Sequence, residues 1–101
     1  MGQVVRQVPV STSSTGGLKT GETALVANSH RKSFTLQNQK AEVLYVKFGS
    51  AATTSDYHLI LAASASAADG TGGVLIDEHC TQAVYVKPAS GSASYTIVEF
   101  I

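Results

Sequence analysis

Cysteine, tryptophan and charged residues are scarce in this 101-residue chain, and each scarcity narrows what it can do. The single cysteine, Cys80, excludes an internal disulfide and gives no indication of an oxidising compartment. Tryptophan is absent, which disfavours a site that stacks sugar rings. Charged residues make up 14% of the chain, against roughly 25% in a typical soluble domain. Because a surface poor in charge is easily buried against a partner, we expect the chain to act within an assembly.

The charge balance argues against several classes of partner. Seven basic and seven acidic side chains give a formal net charge of zero, whereas nucleic-acid binding needs a cationic surface. We interpret the one basic run, His30-Arg31-Lys32, as a solvated strand end. Residues 1–6 lack the apolar region of a signal peptide, and no stretch approaches the roughly 18 apolar residues of a membrane span. We therefore expect synthesis in the cytoplasm, with no nucleic-acid or membrane partner.

Short alternating apolar and polar runs, separated by turn-forming residues, recur along the chain and predict an all-β fold. The predicted strands span residues 3–9, 22–28, 32–38, 43–49, 57–62, 73–78, 82–87 and 94–100. This spacing is typical of a single antiparallel β-sandwich or barrel-like domain of about seven to eight short strands. Residues 62–68 are rich in alanine, and we expect a loop there, with one turn of helix as the alternative.

The chain divides into an N-terminal strand or arm with a flexible linker, residues 1–21, and a β-sandwich domain, residues 22–101. The arm carries Val4, Val5 and Val8 and is followed by a polar run of Ser, Thr and Gly. An extended segment on such a linker can pair with its own sheet or with the sheet edge of a neighbouring subunit. Both alternatives stay open at this point.

Alternation along the strands separates a core face from an outward face. Burying an unpaired lysine costs several kcal/mol, so the faces that carry lysine should point outward. The expected core comprises Phe34, Leu36, Leu44, Val46, Phe48, Leu59, Leu61, Val84 and Val86, with Thr96, Val98 and Phe100 on the last strand. The opposite faces leave Tyr45, Lys47, Tyr85, Lys87, Tyr95 and Ile97 pointing outward.

Outward tyrosines have two interpretations. Tyrosine is enriched at interfaces because it buries a large area and keeps a hydrogen-bonding tip. On a solvated sheet, tyrosines also cover the aliphatic stems of neighbouring lysines. The candidate interface comprises Val4, Val5, Val8, Tyr45, Lys47, Tyr85, Lys87, Tyr95 and Ile97.

Motifs for catalysis or metal binding are not apparent. The run Gly70-Thr71-Gly72-Gly73 lacks a P-loop lysine, and we interpret it as a turn. Glu78-His79-Cys80 has no second ligand pair elsewhere, so it also predicts a turn, and His58 is expected in the core or on a sheet edge. No nucleophile elbow accompanies the serines. We expect no enzymatic activity, no catalytic residue, no metal and no cofactor.

Five segments carry a resemblance to a known group of proteins. They are R-K-S-F-T-L-Q-N (31–38), Y-V-K-F-G (45–49), T-T-S-D-Y-H-L-I-L (53–61), A-V-Y-V-K-P-A-S-G (83–91) and Y-T-I-V-E-F (95–100). In these segments and their order the chain resembles small β-sandwich virion proteins of tailed bacteriophages, of the capsid decoration or cement type. The resemblance covers about 70 residues and excludes the arm. The longer Q-K-A-E-V turn before Leu44 and the alanine-rich loop depart from the family, which leaves the position on the particle open.

The resemblance implies a structural role on the outer surface of a capsid. A decoration protein stabilises the head by bridging adjacent capsid subunits, so the implied partners are the major capsid protein and further copies of the chain. We expect a trimer first and a dimer second. Two alternatives remain: another minor virion component of the head–tail junction, tail or baseplate, and a carbohydrate-binding β-sandwich module.

Overall fold

The computed structural model describes residues 18–101, which form seven strands and no helix. In chain order the strands are β1 (Thr23–Leu25), β2 (Ser33–Asn38), β3 (Leu44–Phe48), β4 (Leu59–Leu61), β5 (Val74–Asp77), β6 (Val84–Pro88) and β7 (Tyr95–Phe100). Each overlaps a predicted strand, and the predicted all-β fold is confirmed. The remaining predicted strand, residues 3–9, lies outside the described residues.

The strands form two antiparallel sheets. The four-stranded sheet has the order β1-β6-β3-β4, and the three-stranded sheet has the order β5-β2-β7. Only β3 and β4 are neighbours both in sequence and in a sheet, so most pairings join strands that are distant along the chain. Because each sheet buries one face and exposes the other, the residues on every strand alternate in their environment.

The core lies between the inward faces of the two sheets. Its fully enclosed apolar side chains are Phe34, Leu36, Leu44, Val46, Val84, Val86, Tyr95 and Ile97. The predicted inward faces of β2, β3 and β6 are therefore confirmed, and Leu61 of β4 is buried as predicted. Phe48 and Leu59 are partly buried and pack against this cluster. Each such apolar side chain contributes roughly 1.5–3 kcal/mol on burial.

Asn38 fixes the turn that follows β2. Its side chain is fully buried, and its Nδ2 donates to the carbonyls of Glu42 at 2.7 Å and Ala62 at 3.0 Å. Its Oδ1 accepts a hydrogen bond from the amide of Lys40 at 3.0 Å. Buried amide groups require such partners, and here all of them belong to loop backbone. Asn38 thereby ties the β2–β3 turn to the segment that follows β4.

The alanine-rich segment after β4 is a loop, as predicted. Its amides reach back to the β2–β3 turn, from Ser64 to the Lys40 carbonyl at 2.9 Å and from Ala68 to the Gln39 carbonyl at 2.7 Å. The Gly70–Gly73 run forms the turn that was predicted for it, and Gly70 has a φ of 82°. This left-handed conformation favours glycine because a Cβ would be strained there.

The prediction for the last strand is wrong in its facing. Tyr95, Ile97 and Glu99 point into the core, whereas Thr96, Val98 and Phe100 lie half-buried on the outward side. Tyr95 and Ile97 were expected to point outward because they lie on the same face of the strand as the charged Glu99. The alternation itself is correct, but the cost of burying Glu99 is offset by a partner elsewhere in the chain.

That partner is Arg31, whose predicted place on a solvated strand end is also wrong. Arg31 is buried, and its Nε donates to Oε2 of Glu99 at 2.6 Å. Burial of both charges is tolerated because each is paired and hydrogen-bonded. Burial of Tyr95 is accommodated in a similar way, since its hydroxyl donates to the carbonyl of Gly21. The neighbouring His30 and Lys32 are exposed, as predicted.

Candidate functional site: the outward faces of the sheets

Tyrosine and lysine side chains alternate across the two central strands of the four-stranded sheet. On its outward face, Tyr45 of β3 lies opposite Lys87 of β6, and Lys47 of β3 lies opposite Tyr85 of β6. This diagonal arrangement places each aromatic ring beside the stem of a lysine on the next strand. We call this surface the Tyr–Lys face; it comprises Tyr45, Lys47, Tyr57, Ile60, Tyr85 and Lys87.

Both lysines of the Tyr–Lys face are paired with carboxylates at its margins. Lys47 Nζ lies 2.6 Å from Oδ2 of Asp56, and Lys87 Nζ lies 3.0 Å from Oε2 of Glu22. Such pairs near solvent contribute only about 0–1 kcal/mol to stability. Their more useful effect is that two positive and two negative charges cancel across the face. A partner can therefore cover the face without burying a net charge.

An aromatic pair, absent from the predicted interface, extends the face to the edge of the sheet. Tyr57 precedes β4, and its ring centroid lies 4.8 Å from that of Tyr45 at an interplanar angle of 50°. Ile60 of β4 is the direct neighbour of Tyr45 in the adjacent strand and is 46% exposed. Together these side chains form an apolar corner beside the lysines. The sequence contains no signal for this contact because it depends on which strand lies next to β3.

The structure brings together four of the predicted interface residues and separates the others. Tyr45, Lys47, Tyr85 and Lys87 share one face, whereas Tyr95 and Ile97 lie in the core of the opposite sheet and cannot join them. The expected patch of three tyrosines is therefore wrong, because Tyr95 does not belong to it. Val4, Val5 and Val8 lie outside the described residues.

The outward face of the three-stranded sheet is different in character. Its side chains are Ser33, Thr35, Gln37, Val74, Ile76, Thr96, Val98 and Phe100, none of which is charged. Val74 and Ile76 of β5 are 54% and 66% exposed, which is unusual for aliphatic residues in a strand. We call this surface the uncharged face. The sequence analysis assigned its β7 residues to the core, so it did not predict this face.

The polar clusters among the described residues act on the backbone of turns. Asp69 accepts hydrogen bonds from the side chains and amides of Thr71 and Ser66, and these bonds, led by that of the Thr71 hydroxyl, lower its pKa to about 2. The Asp77 carboxylate accepts hydrogen bonds from the amides of His79 and Cys80. Residues 78–80 therefore form the turn that was predicted for them. Residues 18–101 contain no cluster of three or more metal-ligating side chains and no pocket.

His58 lies exposed at the start of the edge strand β4, in agreement with the edge position that was one of its two expected places. Its Nδ1 accepts a hydrogen bond from the amide of Phe48 at 3.1 Å, and its ring lies 5.7 Å from the Phe48 ring. These contacts hold the strand end of β3 against the loop before β4. They give His58 a structural position at the margin of the Tyr–Lys face.

Comparisons with family models, with curated proteins and with solved structures found no match to this chain.

Proposed function

We propose that this chain is a structural protein of a tailed-bacteriophage virion that decorates the outer surface of the capsid and bridges adjacent capsid subunits. The resemblance of residues 31–100 to such proteins names the class, and the Tyr–Lys face is the observation that carries the mechanism. In this proposal the partners are the major capsid protein and other copies of the chain. The protein needs no cofactor and contacts no nucleic acid.

The composition of the Tyr–Lys face supports its use as a binding surface. Tyrosine rings bury a large area at a low cost in side-chain entropy, and their hydroxyls can bond to a partner's backbone. Lys47 is only 16% exposed and is already held by Asp56, so little further freedom is lost when a partner covers it. The exposed Ile60 and Tyr57 supply apolar area at one side of such a contact.

A repeating lattice also suits a domain that binds through one face. Interface area alone does not set affinity, and we expect one copy to bind its partner modestly through this face. Copies arranged on a repeating lattice gain avidity whenever they contact two subunits or each other. Each copy then stabilises the shell because it lies between two capsid subunits and contacts both.

The proposal is tested by adding purified protein to virions from which this chain has been removed. We expect Tyr85→Ala and Ile60→Lys to weaken attachment by at least about tenfold while the melting temperature changes little. Thr96→Lys is the matched control, because it adds the same charge on the opposite sheet, and it should attach like the wild type.

Equal attachment of all variants would remove the Tyr–Lys face from the proposed contact. Failure of the wild-type protein to attach to any tailed-phage shell would reject the proposed function itself. If Tyr85→Ala fails to fold, the Tyr85 side chain is needed for the stability of the sheet. The attachment of Ile60→Lys then tests whether the Tyr–Lys face contacts the shell.

A further inference from the structure

The strand β5 forms an edge of the three-stranded sheet whose outward backbone groups can be identified from the pairing. The amide of Asn38 donates to the carbonyl of Gly73 at 3.0 Å, which fixes the hydrogen-bonded pairs between β2 and β5. Because such pairs alternate along antiparallel strands, Leu75 and Asp77 also bond to β2. The N–H and C=O groups of Val74 and Ile76 therefore point away from β2.

No described residue pairs with β5 on that outward side. Val74 and Ile76 thus present both their main-chain groups and their aliphatic side chains to the surroundings. Exposed edges of this kind are usually blocked by a lysine, a proline or a bulge, and the four residues of β5 contain none of these devices.

The other sheet edges in the described part of the chain are less suited to pairing. β1 is three residues long, and its register with β6 shifts between Thr23 and Leu25. β4 is also three residues long, and only one of its residues, Ile60, has backbone N–H and C=O groups that point away from the neighbouring strand β3. At the outer edge of β7, Lys19 forms a bridge with Tyr95, and neither Ile97 nor Glu99 is without a partner. β5, by contrast, presents outward backbone groups at two alternate residues, Val74 and Ile76, in an unbroken strand with which no described residue pairs on that side.

We propose that β5 pairs with β5 of a second copy of this chain, antiparallel and about a twofold axis at Leu75. In this register Val74 lies opposite Ile76 of the second copy, and Ile76 lies opposite its Val74. Both residues are the ones with outward backbone groups, so each opposed pair can exchange two N–H···O=C bonds. A shift by one residue would place outward groups opposite inward ones and would lose these bonds.

The same register keeps like charges apart and pairs side chains of compatible shape. Asp77 comes to lie opposite Gly73 of the second copy, so the two carboxylates are kept apart by the length of the strand. The Asp77 carboxylate already accepts the amides of His79 and Cys80 and does not project into the contact. On the outward side, Val74 packs beside Ile76 of the other copy, which is a favourable cross-strand pair of β-branched residues.

The resulting dimer has a continuous six-stranded sheet whose outward side joins the uncharged faces of both copies. It leaves both Tyr–Lys faces uncovered, because they belong to the other sheet of each copy. The inference goes beyond the proposed function: the pairing concerns the isolated protein, and a virion is not needed to observe it. A pair of copies that presents two binding faces would also have the avidity that decoration requires.

The test measures the mass and the amide exchange of the full-length protein over a range of concentrations. We expect a shift from the 10.5 kDa monomer to twice that mass, with the amides of Val74 and Ile76 becoming protected as the dimer forms. Ile76→Pro removes an outward-facing donor that is not used in the pairing with β2, and it should weaken the dimer by at least about tenfold. Ile76→Lys, which keeps the backbone intact, should do the same.

The matched control variants are Ile60→Pro and Ile60→Lys, which make the same changes at the outward residue of β4 and should leave the dimer unchanged. A monomer at every concentration, a trimer with threefold symmetry, or a dimer insensitive to both Ile76 variants would overturn the proposal. Protection of Val74 and Ile76 that does not depend on concentration would also overturn it, because a segment of the same chain would then cover β5.

Discussion

Arg31 and Glu99, 68 residues apart in the chain, form an ion pair of 2.6 Å between side chains that are almost fully buried. The same guanidinium donates to the carbonyls of Val26 at 2.6 Å, Gln82 at 2.8 Å and Cys80 at 3.1 Å. Glu99 belongs to the three-stranded sheet, whereas Val26 and Gln82 flank strands of the four-stranded sheet. Arg31 therefore links the two sheets at one end of the sandwich.

Removing this side chain should destabilise the domain strongly. We expect Arg31→Met to lower the free energy of unfolding by about 3–5 kcal/mol, because it leaves the Glu99 charge in the core without the guanidinium and three carbonyls without their donor. Urea denaturation measures the effect. The double variant Arg31→Met/Glu99→Met should recover part of the loss, since it removes the buried charge as well. A change below about 1 kcal/mol in Arg31→Met would contradict the linking role.

Gly72 is predicted to be intolerant of any side chain. A Cβ at this position would lie 1.8 Å from the carbonyl oxygen of Asn38, which is backbone and cannot move aside without distorting β2. We expect Gly72→Ala to lower the free energy of unfolding by about 2–3 kcal/mol or more. Gly21→Ala is the control, because nothing lies within 4 Å of its Cβ position, and it should stay within about 0.5 kcal/mol of the wild type. Equal stability of the two variants would show that the loop packs differently.

Acid should open the loop that Asp69 organises. Its hydrogen bonds with Thr71 and Ser66 lower its pKa from the ordinary 3.8 to about 2, so the charged form is favoured in the folded loop. The stabilisation is fully present above pH 3.8 and is lost as the pH falls through about 2. Carboxyl chemical shifts followed by NMR should give this midpoint for Asp69. In Thr71→Val, which removes the hydroxyl donor, the midpoint should move upward, and an unchanged midpoint would refute the assigned cause.

Local patterns were sufficient to predict most of the strands and the inward faces of β2, β3 and β6. In β3 and β6 the lysines alternate with valines, so the cost of burying charge identifies the inner face correctly. In β7 the same rule failed, because the partner that makes burial of Glu99 acceptable lies far away in sequence. The buried ion pair of Arg31 and Glu99 is therefore the reason why the inward and outward faces of β7, residues 95–100, were predicted the wrong way round.

The candidate surfaces depend even more on tertiary pairing. Tyr45 and Tyr85 could be placed outward from their own strands, but the contact of Tyr45 with Tyr57 requires that β4 lies beside β3. The edge position of β5 similarly follows from the sheet order and not from its sequence, Val74–Asp77. Alternation identifies the two faces of a strand, whereas the strand order decides which faces and edges are left for a partner.

The most direct test of the proposed decoration role is the number of copies of this chain in purified virions, measured by quantitative mass spectrometry against the major capsid protein. A decoration protein that bridges subunits across the whole shell should be present in hundreds of copies, in a fixed ratio to the capsid protein. Its absence from the particle, or a copy number of about a dozen or fewer as expected at a single head–tail or tail position, would contradict the proposal.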